Sequence, residues 1–300
     1  ALYKSPKYTA VTDGDDVTSV TFTDNSDVFK NYVHGDFTWS NDLSLLDKTT
    51  DKGIDFEKKL LYSPNTIGLG KVKGNTTVTI NGGKVHKDVY GGGNKGQVDG
   101  NTTVNISGDV DIKAVYAGCN QADVAGSSTL NINASEKFTI TNAFGGNNAS
   151  GNIGSVFVNV GSGSITNLYG GGNKANDTFD TVTTITGGSI TNVFGGGKNA
   201  SVGNITLSTT GATINTIFGG GDQADVLGNI NLQIGDTSIN NLYGGNNQTG
   251  SISGKVSVTV NNPKLITNLY GGGNLAGNEY DVDVTVTNGY ITNLFGGGKK

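Results

Sequence analysis

The sequence contains no arginine; its cationic side chains are all lysines, and the formal net charge at neutral pH is −5 over 300 residues. Arginine is the side chain best suited to bidentate capture of phosphate and carboxylate, so its absence argues against specific nucleic-acid binding and against the clamping of acidic sugars. Cys119 is the single cysteine, which leaves no disulfide framework and no cysteine pair to ligate a metal. His34 and His86 stand far apart without partners at ligand spacing, so neither a transition-metal site nor a cofactor is expected. Three prolines beside 49 glycines, with no Gly-X-Y register, exclude collagen. Long apolar runs are missing as well. None approaches membrane-spanning length, and nothing at Ala1 resembles a charged segment leading into an apolar one, so an exported form would already have lost its signal.

What is present is a repeat. Leu168–Asn173 (Leu-Tyr-Gly-Gly-Gly-Asn) has nine close copies, whose aromatic residues are Tyr90, Tyr116, Phe144, Tyr169, Phe194, Phe218, Tyr243, Tyr270 and Phe295, spaced 24 to 28 residues apart. Self-similarity at that period marks an array in which each unit is too small to bury its own apolar face and its neighbours supply the core. One long body with a continuous core is therefore expected, not the two globular domains that this length would otherwise suggest.

Each copy holds a strictly alternating run, such as Val156-Phe157-Val158-Asn159-Val160 or Ile230-Asn231-Leu232-Gln233-Ile234, which predicts a half-buried strand. A Gly or Asn pair follows, as in Gly82-Gly83, Gly187-Gly188 or Asn261-Asn262, and predicts a tight corner. The second run is the marker itself, with isoleucine four residues before the aromatic in every copy but the first, where His86 fills the slot. A lone apolar residue in the polar connection (Val98, Val124, Ile153, Phe179, Val202, Val226 or Ile252) supplies a third inward-facing segment. Three short segments in ~25 residues predict an all-β, three-sided parallel coil, repeated about nine to ten times. Thr, Asn, Gly and Val suit a helix poorly, which sets the array apart from helical repeats. The leucine-rich repeat shares only the Ile-x-x-Leu spacing and the trailing Asn, and a propeller blade needs four strands.

Stacked at the strand spacing of ~4.8 Å, every residue lies over its counterpart. Asparagine recurs four residues after the aromatic at Asn94, Asn120, Asn148, Asn173, Asn247 and Asn274, and two before it at Asn142, Asn167, Asn192, Asn241, Asn268 and Asn293. Such columns exchange amide hydrogen bonds along the axis, which lets a polar residue occupy a buried corner. The aromatic column has two readings. Strict alternation from the isoleucine points it inward as a core ladder, which the Tyr/Phe mixture favours; a bend at the asparagine would reset the parity and leave a stripe able to stack on sugar rings. Triple glycine is read as a corner-forming device that permits positive φ and close backbone approach. Gly91–Lys95 and Gly170–Lys174 have the look of phosphate loops, but no helix follows them.

Residues 1–65 lack the repeat, contain Trp39, and are read as an N-terminal cap to an array spanning 66–300. Within them Val17–Thr23 and Asp36–Trp39 look strand-like, and Asp42–Asp47 and Asp55–Tyr62 are candidate short helices. Lys300 follows the ninth triple glycine without a polar cap, which suggests either a longer solenoid or head-to-tail docking of that edge on another copy's N-terminal segment. Catalysis would need charged groups that interrupt the repeat. Glu136 and Glu279 lie in different coils, and the pairs Asp109/Asp111, Asp222/Asp225 and Asp281/Asp283 read as solvated corner residues, so no catalytic residue is assigned. Asp13-Gly14-Asp15-Asp16 lacks the alternating ligands of a calcium loop, and no metal site is assigned.

The alternating strand, the Gly-Gly corner and Ile-Thr-Asn-Leu-Tyr-Gly-Gly-Gly-Asn (165–173) resemble the glycine-rich repeats of large bacterial surface proteins of the right-handed parallel β-helix type, over roughly residues 66 to 300. The resemblance implies a secreted or surface-held adhesin, stalk or envelope fibre, although other proteins of that fold are polysaccharide lyases or hydrolases. The expectation is a non-enzymatic extracellular structural or adhesin-like protein that assembles head to tail, with other copies of itself or a host or bacterial surface glycan as partners. No nucleic acid and no membrane span are expected. The alternative is a carbohydrate-binding or carbohydrate-active β-helix protein.

Overall fold

The computed structural model describes residues 8–13, 16–22, 70–175, 179–277 and 280–300. The expected strand Asp36–Trp39, both candidate helices, His34, Glu279 and the Gly14-Asp15 part of the acidic loop lie outside the described residues. The chain divides into two compact units, Ala1–Leu69 and Gly70–Lys300. In the first, β1 (Tyr8–Asp13) and β2 (Asp16–Phe22) form an antiparallel hairpin, β2 taking in the strand expected at Val17–Thr23 as far as Phe22; Thr23 lies outside the described residues.

The second unit is built of rungs of two strands each. The first three are β3 (Thr76–Ile80) with β4 (Gly83–Tyr90), β5 (Thr102–Gly108) with β6 (Val110–Tyr116), and β7 (Val124–Ala134) with β8 (Thr139–Phe144). The next three are β9 (Ile153–Ser162) with β10 (Ser164–Tyr169), β11 (Thr181–Ile185) with β12 (Ser189–Phe194), and β13 (Ile205–Thr209) with β14 (Thr213–Phe218). The last are β15 (Ile230–Ile234) with β16 (Ser238–Tyr243), β17 (Val256–Asn261) with β18 (Leu265–Tyr270), and β19 (Val282–Asn288) with β20 (Ile291–Phe295). All odd strands from β3 stack in one parallel nine-stranded sheet and all even strands from β4 in another, each in sequence order. Nine rungs enclose about eight turns, slightly fewer than the nine to ten coils expected, because nine stacked rungs have eight intervals between them. No described helix is long and apolar enough to cross a membrane.

The alternating runs pack as read. Val156, Val158 and Val160 are buried while Phe157 and Asn159 point out, and the same holds for Ile230, Leu232 and Ile234. Together with the marker isoleucines they form one continuous Ile/Leu/Val core along the array. The third side consists of isolated bridges such as Val72 with Val98 and Val202 with Val226. Val98, Val124, Ile153, Val202, Val226 and Ile252 are buried, but Phe179 is 41% exposed. The reason is steric: these slots face glycine backbone at close range, a Cβ added at Gly171 lying 2.6 Å from Val202 Cγ1. That gap takes valine or isoleucine and not a benzyl group. In the first rung Val85, not His86, pairs with Ile112 and packs on the core, because a one-residue bulge between Val85 and Asp88 turns His86 outward.

Glycine does two different jobs at two corners. Positive φ falls mostly in the short link between the two strands, at Gly82, Gly83, Gly108, Gly163, Gly188, Gly211 and Gly289, with Asn262 the non-glycine case, and outside that link at Gly70, Gly151 and Gly250. None of the marker glycines has positive φ, which corrects half of the reading given to the triple glycine. They are needed for proximity: a Cβ at Gly145 would lie 2.5 Å from both the Gly170 carbonyl oxygen and Val156 Cγ1. Their N–H groups carry the rung-to-rung ladder round the corner, Gly170 donating to Phe194 O at 2.8 Å and Gly171 to Gly196 O at 3.1 Å.

Two predictions follow from packing. Gly145→Ala is expected to destabilise the array by about 2–3 kcal/mol, a cost typical of overpacking, whereas Gly74→Ala, with open space around the new Cβ, leaves the urea midpoint nearly unchanged. Thr183 and Thr209 stand in apolar columns, buried, with hydroxyls that have no hydrogen-bond partner. Thr183→Val and Thr209→Val are each expected to stabilise by about 1 kcal/mol, read as a raised melting temperature; a lowered one would mean that the hydroxyls are satisfied.

Candidate functional site

The residues assigned to ladders come together as two kinds of column, and the geometry begins with a break in alternation. Ile165 pairs with Ile140 and Ile190, and Asn167 with Asn142 and Asn192, while the residue between is skipped. Ile165 and Leu168, three apart, therefore both enter the core, and Tyr169 is left on the other side of the strand. The aromatic column is thus neither part of the main core nor an exposed stripe. Tyr116, Phe144, Tyr169, Phe194, Phe218 and Tyr243 form a separate cluster and are 2–6% exposed. Tyr90 and Tyr270 pack against it half-buried, and Phe295 is 47% exposed. Successive rings stack at 4.6–5.1 Å with interplanar angles of 5–12°. Each ring inside the column has a ring stacked above and another below it, an arrangement available where like repeats on like.

Asparagine ladders run along the same stretch. In the column after the triple glycine, Asn120 donates to Asn94 at 2.6 Å, Asn148 to Asn120 at 2.8 Å, and Asn173 to Asn148 at 2.8 Å. The column loses asparagine where Lys198 and then Asp222 take the place, and resumes with Asn247 donating to Asp222 and Asn274 to Asn247. In the column before the aromatic, Asn167, Asn192, Asn268 and Asn293 each donate to the asparagine one rung earlier. A tyrosine hydroxyl also ties its ring to an asparagine two rungs on: Asn148 donates to Tyr90 Oη at 3.2 Å. Tyr90 in turn donates to Asp88 at 3.2 Å.

Some polar residues have roles that the repeat pattern did not reveal. Asn147 and Asn246 replace the third marker glycine and turn inward, where the Asn147 carbonyl accepts from Cys119 N–H at 2.6 Å and that of Asn246 from Gly221 N–H at 2.8 Å. A further ladder joins Asn105, Asn131 and Asn159 on the outer face of the first sheet. Its signal was present in the alternating runs, one asparagine per copy, but it spans only three rungs. Asp222 is 6% exposed inside its ladder, not a solvated corner residue. Cys119 is buried, and burial raises its thiol pKa.

Four more of the candidate acids, Asp109, Asp111, Asp225 and Asp283, are occupied. Asp109 accepts from Lys137 Nζ at 2.8 Å and from Ser135 Oγ at 2.6 Å, which hold its carboxyl below the usual range. Asp111 pairs with Lys84, Asp283 with Lys255, and Asp225 accepts from Ser251 N–H and Oγ. Among the described residues no three His, Cys, Asp or Glu side chains gather as a metal-binding group.

Fold and ladders together define a parallel β-solenoid. Comparison with protein-family models, with curated proteins and with solved structures returns no match.

The stack carries a pH signature. Burial, with Asp88 near Tyr116 and Asp222 near Tyr169 adding repulsion, raises both phenols above their ordinary value near 10. A phenol held more firmly protonated in the fold than in the unfolded chain contributes stability in full below about pH 10, and this is lost as pH rises through the folded value. The melting temperature is therefore expected to fall above about pH 10, and the double variant Tyr116→Phe/Tyr169→Phe to flatten that fall. An unchanged alkaline slope in the double variant would count against the stack as its source.

Proposed function

We propose that this chain is a non-enzymatic extracellular structural element, an adhesin-like surface protein whose array presents long outer faces to its surroundings. The observation that carries the reading is the unbroken succession of nine rungs in each sheet, with aromatic and asparagine columns following the same axis. A scaffold devoted to chemistry diverges where substrate is handled, because acid, base and orienting groups must converge on one bond. Here Asp109, Asp111, Asp225 and Asp283 are spent on lysines and hydroxyls one rung away, and Asp222 on carboxamides. Lys71 with Asp99, Lys84 with Asp111, Lys137 with Asp109, Lys255 with Asp283 and Lys264 with Asp236 all bridge neighbouring rungs. Such pairs add little stability individually, but they oppose like-charge contacts and so guard register.

Continuous hydrogen bonding also leaves few unpaired backbone segments for a protease to bind, which suits a protein exposed outside the cell. The partners that fit the reading are further copies of the chain and a surface glycan. The test is limited proteolysis on intact cells combined with a turnover assay. Residues 70–300 are expected to be accessible to antibody, to resist cleavage, and to release no reducing ends from a panel of polysaccharides. Time-dependent release of oligosaccharide by purified protein would overturn the non-enzymatic reading.

A further inference from the structure

A shallow trough of about 360 Å³ crosses the outer face of β12, β14, β16 and β18. Its sides are two columns of small polar residues flanking the buried isoleucines: Ser189, Thr213 and Ser238 on one, Thr191, Asn215 and Asn240 on the other. No charged side chain lines it. Asn240 donates to Asn215 and Asn215 to Thr216, but among the described residues the hydroxyls of Ser189, Thr191, Thr213 and Ser238 have no protein hydrogen-bond partner. The first column then changes character. Leu265, 44% exposed, takes the next place after Ser238, and Tyr290, 75% exposed, the one after that.

We propose that this trough is a binding site for a neutral oligosaccharide lying along the solenoid axis. Four rungs at ~4.8 Å spacing span about 14 Å from first to last, the polar steps offering hydroxyl or amide groups that both donate and accept, as sugar hydroxyls do. The lack of charge removes any attraction for uronic or sialic acids. The end of the trough supplies what the sides do not: Leu265 and Tyr290 form an exposed apolar step against which the C–H face of a sugar ring packs. The proposal rests on the surface-element reading in one respect, that the glycan is held and not cut.

The experiment is titration calorimetry of the purified chain with a panel of neutral and acidic oligosaccharides, with recovery of the sugar afterwards for mass analysis. At least one neutral member is expected to bind and the acidic ones not to. Thr213→Lys, which fills the trough from an exposed position, is expected to weaken that binding at least tenfold, and Tyr290→Ala about fivefold. Thr206→Lys, on the outer face of β13 in the opposite sheet, serves as the control and is expected to bind as the parent does. Melting curves of all three variants separate loss of binding from loss of fold. Absence of binding by every neutral sugar, preference for acidic ones, or equal weakening by Thr206→Lys would overturn the site. Recovery of shortened sugar with binding still dependent on Thr213 would instead leave the site standing and remove the non-enzymatic reading.

Discussion

The constraint on which the array depends is that the backbone of each coil must hydrogen-bond to the next, in parallel and in register, at ~4.8 Å. Once that is imposed, every side chain is held against the residue at the same place one rung away. Apolar columns then merge into a single core, and flat rings have no better neighbour than another flat ring. Carboxamides, which carry both a donor and an acceptor, become self-satisfying. Residues with only one hydrogen-bonding sense do not, which is why Lys198 interrupts the asparagine column and why Asp222 accepts from Asn247 and Gln248. The same spacing leaves no room for a Cβ at the marker corners, where the backbone of one rung lies against carbonyls of the next and side chains across the coil.

Stability in such an object is local, a sum of terms between adjacent rungs. Removal of one ring from the aromatic cluster leaves a cavity bounded by its two neighbours, while rungs farther away keep their contacts. Small insertions are absorbed at bulges. The shifts between Val85 and Asp88 in β4, between Val124 and Ser127 in β7, and between Val160 and Ser162 in β9 each take up one extra residue without breaking the sheets. Most of the spread in repeat length falls instead in the links between strands: Gly108 pairs with Ala134 but Ala114 with Asn142, so two residues are added between β7 and β8.

Much of the fold was legible because the repeat labels its own rungs. The marker aromatics, the alternating runs and the asparagine columns each align one residue per coil, and the strand pairing reproduces those alignments, Tyr169 over Phe144 and under Phe194. What was not legible is where alternation is interrupted. Counting in twos from Ile165 puts Tyr169 inward, and no residue type in Thr166 or Asn167 announces the skipped position that turns it out. Phe179 had the right place and the wrong volume, a fact set by glycine backbone on the opposite side of the coil. The glycines were legible as a pattern but ambiguous as a cause, since positive φ and close approach demand the same residue. The trough escaped notice altogether: its Ser and Thr columns look like ordinary solvent-facing positions, and only the shape of the sheet makes them a concavity.

The asparagine ladders have one further property. Asn120 donates to Asn94, Asn167 to Asn142, Asn268 to Asn241 and Asn293 to Asn268, so in each pair the later residue gives its proton to the earlier one. The carboxamide oxygens accordingly all face the higher-numbered rungs, and their dipoles add along the axis much as peptide dipoles add along a helix. The ladders are thereby electrically polarised from one rung to the next, and Lys299, which succeeds Asn274 in its column, sets a cation on the side toward which those oxygens point.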